Sequence, residues 1–254
     1  MIAVTTVLPD TPTDNPPTVL VHGAANSAVV WTYWQQELAK LGWASHAIDL
    51  RGHGRSDPID LSSTSMSDYA DDVRSAIAQL DRKPVVIGWS MGGLAALMVA
   101  AAGDAIACVT LAPSTPTRTR DPSIALRPGT FGAELYGIKS RDANDQPAMP
   151  DLDREERVAA LSSLGPESQL ARDDRKAGIV IETLPCPLLI VTGTNDRLWP
   201  RSIYDDLWLP ADYFEVEGAS HWGLVLSRRA LGVEVPAVVG CLDGLSTDTK
   251  RISG

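Results

Sequence analysis

Residues 85–102 constrain the fold of this chain more than any other segment. Val85–Ile87 is typical of a buried strand, and it leads through the letters GWSMGG directly into a helix, Met91–Ala102, that is apolar on nearly all sides. A strand that turns at once into a helix strains the turn residue, lifts its side chain clear of the sheet and requires small neighbours. The sequence therefore predicts that Ser90 stands at the carboxyl end of a central strand, beside a helix N-terminus that favours negative charge.

The rest of the chain repeats this alternation of short apolar runs with longer stretches of helical period. The pattern predicts an α/β fold with a mostly parallel central sheet flanked by helices. The other predicted strands are Thr18–Val21, Trp43–Ile48, Ile106–Leu111, Leu188–Thr192 and Tyr213–Val216, with a weaker one at Ile2–Leu8. The other predicted helices are Val30–Leu41 and Met66–Leu80.

The alternation breaks between Pro113 and about Ile181, where many of the prolines and charges fall. Long irregular connections inside one domain usually carry function, so residues 114–165 are predicted to form a small helical cap over one end of the sheet. Residues 1–113 and 166–254 then form the core domain, with Pro166–Glu182 as one of its helices. The alternative, a disordered linker between two domains, is disfavoured because the chain after Cys186 is short for a second domain.

Composition narrows the partners and the compartment. The chain carries 22 Lys and Arg against 32 Asp and Glu, a net charge of −10, so it has no basic field to attract nucleic acid. Its apolar runs are shorter than the roughly 20 residues that cross a bilayer, and its N-terminus does not resemble a secretory signal. The three cysteines are far apart and form no CxxC pair, so no disulfide framework is predicted. The sequence also has no HExxH motif, so no metal or other cofactor is predicted. We expect a cytoplasmic protein that acts on a small molecule.

Four further motifs make the chain resemble the α/β-hydrolase superfamily. VLVHGAANSAVVW is similar to the oxyanion segment of that family, DLRGHGRSD to the next loop, and GTNDRLWP and GASHWG to the acid and histidine loops, in family order. The GWSMGG elbow is similar to that of bacterial pimeloyl-carrier-protein methyl ester esterases. The few residues before Thr18 predict that the first strands of the family fold are abbreviated.

A serine hydroxyl is a weak nucleophile at neutral pH and needs a neighbouring base. His221, in the loop after the last predicted strand, matches the family position of that base, whereas the other histidines are expected to have structural roles. Asp196 follows the strand LLIVTG and completes the chain order Ser, Asp, His. Asp205 and Asp206 are the alternative acids.

The resemblance also implies an oxyanion hole formed by the backbone amides of Ala24 and Met91. Three tryptophans fall beside the predicted triad: Trp89, Trp199 and Trp222. They either pack under the cap or line an apolar cleft. With the net negative charge, the second interpretation favours a neutral apolar or aromatic substrate group.

These residues predict a serine hydrolase that cleaves a carboxylic ester of a small to medium apolar or aromatic substrate through an acyl-enzyme intermediate. The same fold and residues also fit a thioesterase, a lactonase, a carbon–carbon hydrolase or hydroxynitrile lyase, and a perhydrolase. An alternative of another class is a ligand-sensing binding protein that retains the triad. Ser90 in place of an aspartate disfavours the haloalkane dehalogenases and epoxide hydrolases.

Overall fold

A seven-stranded sheet forms the centre of the computed structural model, which describes residues 1–252 and the side chains of residues 1–243. The strands of the protein, in chain order, are β1 (Ala3–Val7), β2 (Thr18–Val21), β3 (Ser45–Asp49), β4 (Val85–Trp89), β5 (Ala107–Leu111), β6 (Thr130–Phe131), β7 (Glu167–Ser168), β8 (Leu188–Gly193) and β9 (Asp212–Val216). The order across the sheet is β1-β3-β2-β4-β5-β8-β9, and β6 pairs with β7 in a separate ribbon. All pairs in the sheet are parallel except β1 with β3, so the predicted mostly parallel α/β fold is confirmed.

Helices cover both faces of the sheet. They are α1 (Thr32–Lys40), α2 (Met66–Ile77), α3 (Met91–Ala101), α4 (Arg154–Ser162), α5 (Gln169–Ala177), α6 (Gly223–Leu226) and α7 (Arg228–Ile252). The apolar side chains of α1, α6 and α7 form one core cluster, and those of α2 and α3 form another. Strand β4 contributes Val85 and Ile87 to the first cluster and Val86 to the second, as the two-residue period of a strand requires. No helix in the described range combines the length and hydropathy needed to span a membrane.

The ends of several elements differ from the sequence prediction for local reasons. The segment predicted as a helix from Val30 opens with a 3₁₀ turn at Ala28–Trp31 before α1. The helix predicted over Pro166–Glu182 shortens to α5, because the Ser168 side chain caps its first turn and Gly178, at φ +104°, ends it. The short N-terminal segment supplies one strand, β1, which lies antiparallel at the sheet edge.

The connection between β5 and β8 leaves the sheet and returns to it at one place. Thr117 forms a bridge with Val180, and backbone hydrogen bonds join Thr117 to Ile179 and Ile181. Within this connection, α4 packs against the 3₁₀ turn after β2 and against α6, which follows β9. The connection therefore lies over the carboxyl ends of the parallel strands, where the functional residues of open α/β sheets are found.

Glu234 on α7 is a carboxyl group inside the core. Its side chain is fully buried, and neither carboxylate oxygen has a hydrogen-bond partner within the described part of the chain. Because burial penalises the charged form, the pKa of Glu234 lies well above its ordinary value. The folded protein thus holds this group as a neutral acid.

We predict that Glu234 makes the protein less stable as the pH rises. Above about pH 4.5 the unfolded chain releases the Glu234 proton and the folded chain retains it. The contribution of Glu234 to the free energy of unfolding therefore falls by about 1.4 kcal/mol per pH unit until the folded group ionises. Urea denaturation from about pH 5 to about pH 7 should show Glu234→Gln gaining stability over wild type across this range. Glu182→Gln, at an exposed position, should follow wild type. A difference between Glu234→Gln and wild type that is constant with pH would contradict the buried neutral acid.

Candidate active site

Ser90 occupies the turn between β4 and α3 in a strained conformation. Its backbone has φ 55° and ψ −117°, outside the regions that non-glycine residues prefer. The turn closes tightly: a Cβ atom added at Gly88 would lie 2.3 Å from the Gly92 carbonyl oxygen, and one added at Gly92 would lie 2.2 Å from the His22 carbonyl oxygen. Strain of this kind persists only where the surrounding structure holds it, and it marks functional sites.

His221 and Asp196 meet across the carboxyl ends of β8 and β9. The Nδ1 atom of His221 lies 2.7 Å from Asp196 Oδ2. The other carboxylate oxygen of Asp196 accepts hydrogen bonds from the amides of Leu198 at 2.8 Å and Trp199 at 3.0 Å. Burial raises the pKa of Asp196, but the hydrogen bond and charge of His221 and these amides outweigh it and hold the pKa below its usual value. An ionised Asp196 orients the imidazole and leaves Nε2 free to accept a proton.

Ser90 and His221 line one cavity of about 250 Å³. The predicted pocket tryptophans lie around the same cavity: Trp89, Trp199 and Trp222. Trp89 and Trp222 are almost fully buried, whereas Trp199 is partly exposed. Four further residues line the cavity, and all belong to the connection between β5 and β8: Ala133, Leu135, Tyr136 and Leu164.

Trp89 connects the serine turn to the histidine loop. Its ring lies 5.0 Å from the ring of His221 and 5.1 Å from that of Trp222, and its Nε1 donates to the His221 carbonyl oxygen at 3.1 Å. A Cβ atom at Gly23 would lie 2.8 Å from the Trp89 ring, so the loop after β2 also rests on this indole. Trp89 therefore forms both a wall of the cavity and a support for the loops.

The predicted oxyanion amides belong to Ala24, in the loop after β2, and to Met91, at the start of α3. Ala24 lines the cavity, and Met91 directly follows Ser90. No acceptor for either amide lies within the described residues. Two unpartnered backbone donors beside a serine hydroxyl have the arrangement of an oxyanion hole.

The other three histidines make local hydrogen bonds away from the cavity. His22 contacts the Gly23 carbonyl oxygen through Nδ1 and accepts the Leu50 amide through Nε2 at 3.1 Å. The Nδ1 atom of His53 lies 2.9 Å from the Arg51 carbonyl oxygen, and His46 contacts Thr6 across the pair of edge strands. Within the described residues, no cluster of His, Cys, Asp and Glu could hold a metal ion.

Glu167 is a site residue that the sequence analysis missed. It is fully buried, and its Oε2 accepts the amide of Ala25 at 2.9 Å. The Tyr69 hydroxyl donates to Oε1, and Nε2 of His53 lies 3.5 Å from Oε2. Burial raises the pKa of Glu167, but His53, the Tyr69 hydroxyl and the Ala25 amide outweigh burial and lower the pKa to about 2. Glu167 thereby anchors the loop after β2, in which Ala25 has a φ of +58°. Because 142 positions separate Glu167 from Ala25, no local pattern reveals the contact.

Other residues of the same connection hold the remaining site loops. Asp151 accepts the amide of Ser220, the residue before His221, at 2.9 Å. Gly165 donates its amide to the Ala25 carbonyl oxygen at 3.0 Å, and the Ser163 hydroxyl donates to Asn26 at 2.7 Å. The loops on both sides of Ser90 are thus fixed by residues 151–167.

A family model described as the alpha/beta hydrolase family matches residues 18–233. The chain belongs to the α/β-hydrolase family. Its relatives include the pimeloyl-[acyl-carrier protein] methyl ester esterase of Klebsiella pneumoniae, 30% identical over 236 residues that cover 80% of this chain and 85% of the relative. The enzyme of the same name from Pectobacterium carotovorum is 28% identical over 239 residues, covering 80% and 86%. The relatives support an esterase-like hydrolase.

Solved structures of low sequence identity share the fold. A thermophilic esterase from Thermogutta terrifontis aligns with a TM-score of 0.71 at 19% identity, covering 96% of this chain and 93% of that one. Polyneuridine aldehyde esterase aligns with a TM-score of 0.70 at 17% identity, covering 89% and 100%.

We predict that Glu167→Gln lowers the free energy of unfolding at about pH 7 by about 3 kcal/mol, because it removes a buried carboxylate charge that its hydrogen-bond donors and His53 stabilise. The folded pKa of Glu167 is depressed, so its contribution is present above about pH 4.5 and is lost as the pH falls towards about 2. The difference between wild type and variant in urea denaturation should therefore shrink in acid. Glu134→Gln, an exposed carboxyl in the same connection, is the control. A Glu167→Gln variant as stable as wild type at neutral pH would refute the anchoring role.

Proposed function

We propose that this protein is a serine hydrolase that cleaves a carboxylic ester of a small to medium, largely apolar or aromatic substrate through an acyl-enzyme. The observation that carries the proposal is the arrangement around one cavity. Ser90 stands on a strained turn, and His221 faces the same cavity while its Nδ1 is held by Asp196 at 2.7 Å. Nucleophile, base and orienting acid in this order are the requirements of acyl transfer.

In the proposed mechanism, His221 Nε2 takes the Ser90 hydroxyl proton as Oγ attacks the ester carbonyl carbon. Asp196 stabilises the imidazolium that forms. The amides of Ala24 and Met91 hold the tetrahedral oxyanion, each contributing about 3 kcal/mol of transition-state stabilisation. His221 then gives its proton to the departing alcohol, leaving the acyl group on Ser90. Water, activated by the same histidine, releases the acid and restores the serine.

The cavity supports the proposed substrate size. A volume of about 250 Å³ bounded by tryptophan and leucine side chains suits an acyl group of a few carbons or an aromatic ring. Residues 114–165 act in the proposal as a cap, since Ala133, Leu135, Tyr136 and Leu164 from that segment line the cavity. Both named relatives are methyl ester esterases, which favours a small alcohol as the leaving group here.

We predict that Ser90→Ala lowers kcat on short p-nitrophenyl esters by at least about 10³-fold while leaving thermal unfolding unchanged, because it removes one hydroxyl. His221→Ala should lower kcat similarly, and the double variant should add little, because triad members act as a unit. Ser162→Ala, at an exposed position, is the matched control.

Full activity in Ser90→Ala would exclude the serine mechanism. A single stoichiometric burst in wild type, or no reaction, would instead support a ligand-sensing protein that retains the triad. Parallel assays with thioesters and lactones would separate the alternatives that use the same residues.

We predict that Trp199→Ala weakens the preference for longer acyl chains. The kcat/KM of neutral esters should rise from acetate to butyrate or hexanoate until the cavity is full. Each CH₂ group buried in the cavity should stabilise the transition state by about 0.8 kcal/mol. Because Trp199 lines the cavity and acetate is too small to fill it, the loss of Trp199 should flatten this increase more than it lowers acetate hydrolysis. Trp208→Ala, another partly buried tryptophan away from the cavity, should keep the wild-type profile. An unchanged profile in Trp199→Ala would remove Trp199 from the substrate site.

A further inference from the structure

Arg175 is a charged side chain in the cavity for which the proposed mechanism has no use. It lies in the last turn of α5 and lines the cavity together with Ser90 and His221. Nη1 donates to the Ser114 hydroxyl at 3.3 Å, and Nη2 donates to the Tyr136 hydroxyl at 3.0 Å. Nε is buried and has no partner among the described residues. Among the described side chains, the guanidinium is therefore held only by neutral groups.

The carboxylates near Arg175 are committed to other partners. Its neighbours on α5, Asp173 and Asp174, pair with Arg127 at 2.8 Å and Arg120 at 2.6 Å. Glu167, the buried carboxylate just before α5, accepts from Ala25 and Tyr69. Across the side chains that the structure describes, no carboxylate forms an ion pair with Arg175, although the chain has 32 acidic residues.

A half-buried guanidinium without a counter-charge loses hydration and gains little in return. Such a group is stabilised when a ligand brings the missing negative charge. The planar fork of arginine donors matches a carboxylate, and apolar walls such as Leu135, Leu164 and Trp199 strengthen the attraction by excluding water.

The guanidinium also lies close to the nucleophile. Ser114, which accepts the Nη1 hydrogen bond, donates its own backbone amide to the Ser90 carbonyl oxygen at 3.0 Å. Two successive hydrogen bonds through one residue thus connect Arg175 with Ser90. An anionic group that reaches Arg175 from an ester at Ser90 needs a linker of only a few carbons.

We propose that the substrate is an ester that carries a carboxylate a few carbons from the scissile bond, and that Arg175 binds this carboxylate. The Tyr136 hydroxyl accepts a hydrogen from Arg175 and keeps its own proton for a second hydrogen bond to the ligand. This inference rests on the proposed ester hydrolase function and names its substrate class. The carboxylate can belong to the acyl side, as in half-esters of dicarboxylic acids, or to the alcohol side, as in acetyl esters of hydroxy acids.

The test compares kcat/KM for matched anionic and neutral esters. Monomethyl glutarate against methyl pentanoate probes the acyl side, and 4-acetoxybutanoate against butyl acetate probes the alcohol side. In wild type, one of the two anionic esters should be preferred over its neutral partner. Arg175→Met should lower that anionic-to-neutral ratio by about 30-fold, the effect of losing a charge-assisted hydrogen-bond pair, and Arg175→Lys should restore part of it. Lys176→Met removes an exposed cation from the same helix and should keep the wild-type ratio.

Binding gives a second measurement that does not need turnover. Calorimetry should detect whichever anionic ester is preferred, monomethyl glutarate or 4-acetoxybutanoate, bound to Ser90→Ala, and adding Arg175→Met should weaken binding by about 30-fold. If wild type hydrolyses neutral esters but its anionic-to-neutral ratio is unchanged in Arg175→Met, the carboxylate inference is wrong and the serine hydrolase proposal stands. A lower melting temperature of Arg175→Met with unchanged ratios and binding would assign Arg175 a structural role only. If wild type cleaves no ester and resists a fluorophosphonate probe, the proposed function fails, and the assignment of an ester substrate fails with it. Calorimetry of both anionic esters with Ser90→Ala, with and without Arg175→Met, then decides whether Arg175 binds a carboxylate.

Discussion

The tight turn between β4 and α3 is the constraint on which the rest of the site depends. Because Gly92 has no side chain, the first turn of α3 approaches the backbone of His22, and this contact places the loop after β2 beside Ser90. Gly23, in turn, rests on the Trp89 ring, which also carries the histidine loop. One strained residue at φ 55° is therefore held from several sides, and the loops that surround it are placed by the same contacts.

The connection between β5 and β8 holds the site loops that the sheet itself does not fix. Loops at strand ends have few partners of their own, and here Asp151, Gly165 and Glu167 supply acceptors and donors to their backbone amides and carbonyls. Glu167 and Glu234 show how differently a buried carboxyl can be held. The Tyr69 hydroxyl, the Ala25 amide and His53 keep Glu167 ionised, whereas Glu234, without a partner in the described chain, is held neutral.

Local charge and net charge lead to different expectations for the substrate. A net charge of −10 favours a neutral ligand when the chain is treated as a whole. The cavity instead contains a guanidinium whose described partners are two hydroxyl groups. Since electrostatic attraction in an apolar cavity is stronger than across solvent, the group inside the cavity determines what binds there, and distant surface charges contribute little.

The sequence alone determined the sheet, the order of its elements and the positions of Ser90, Asp196 and His221 at strand ends, because each depends on local patterns of hydrophobicity, glycine and turn residues. The family match confirms the fold, and the structure places these three residues, with Ala24 and the three tryptophans, around or beside one cavity. Glu167, Asp151 and Arg175 were decided only by the tertiary structure. They lie in a segment without regular period and far along the chain from the groups that they contact. From sequence alone, a carboxylate or guanidinium in such a segment is expected on the solvated surface, and only the fold shows that it is buried.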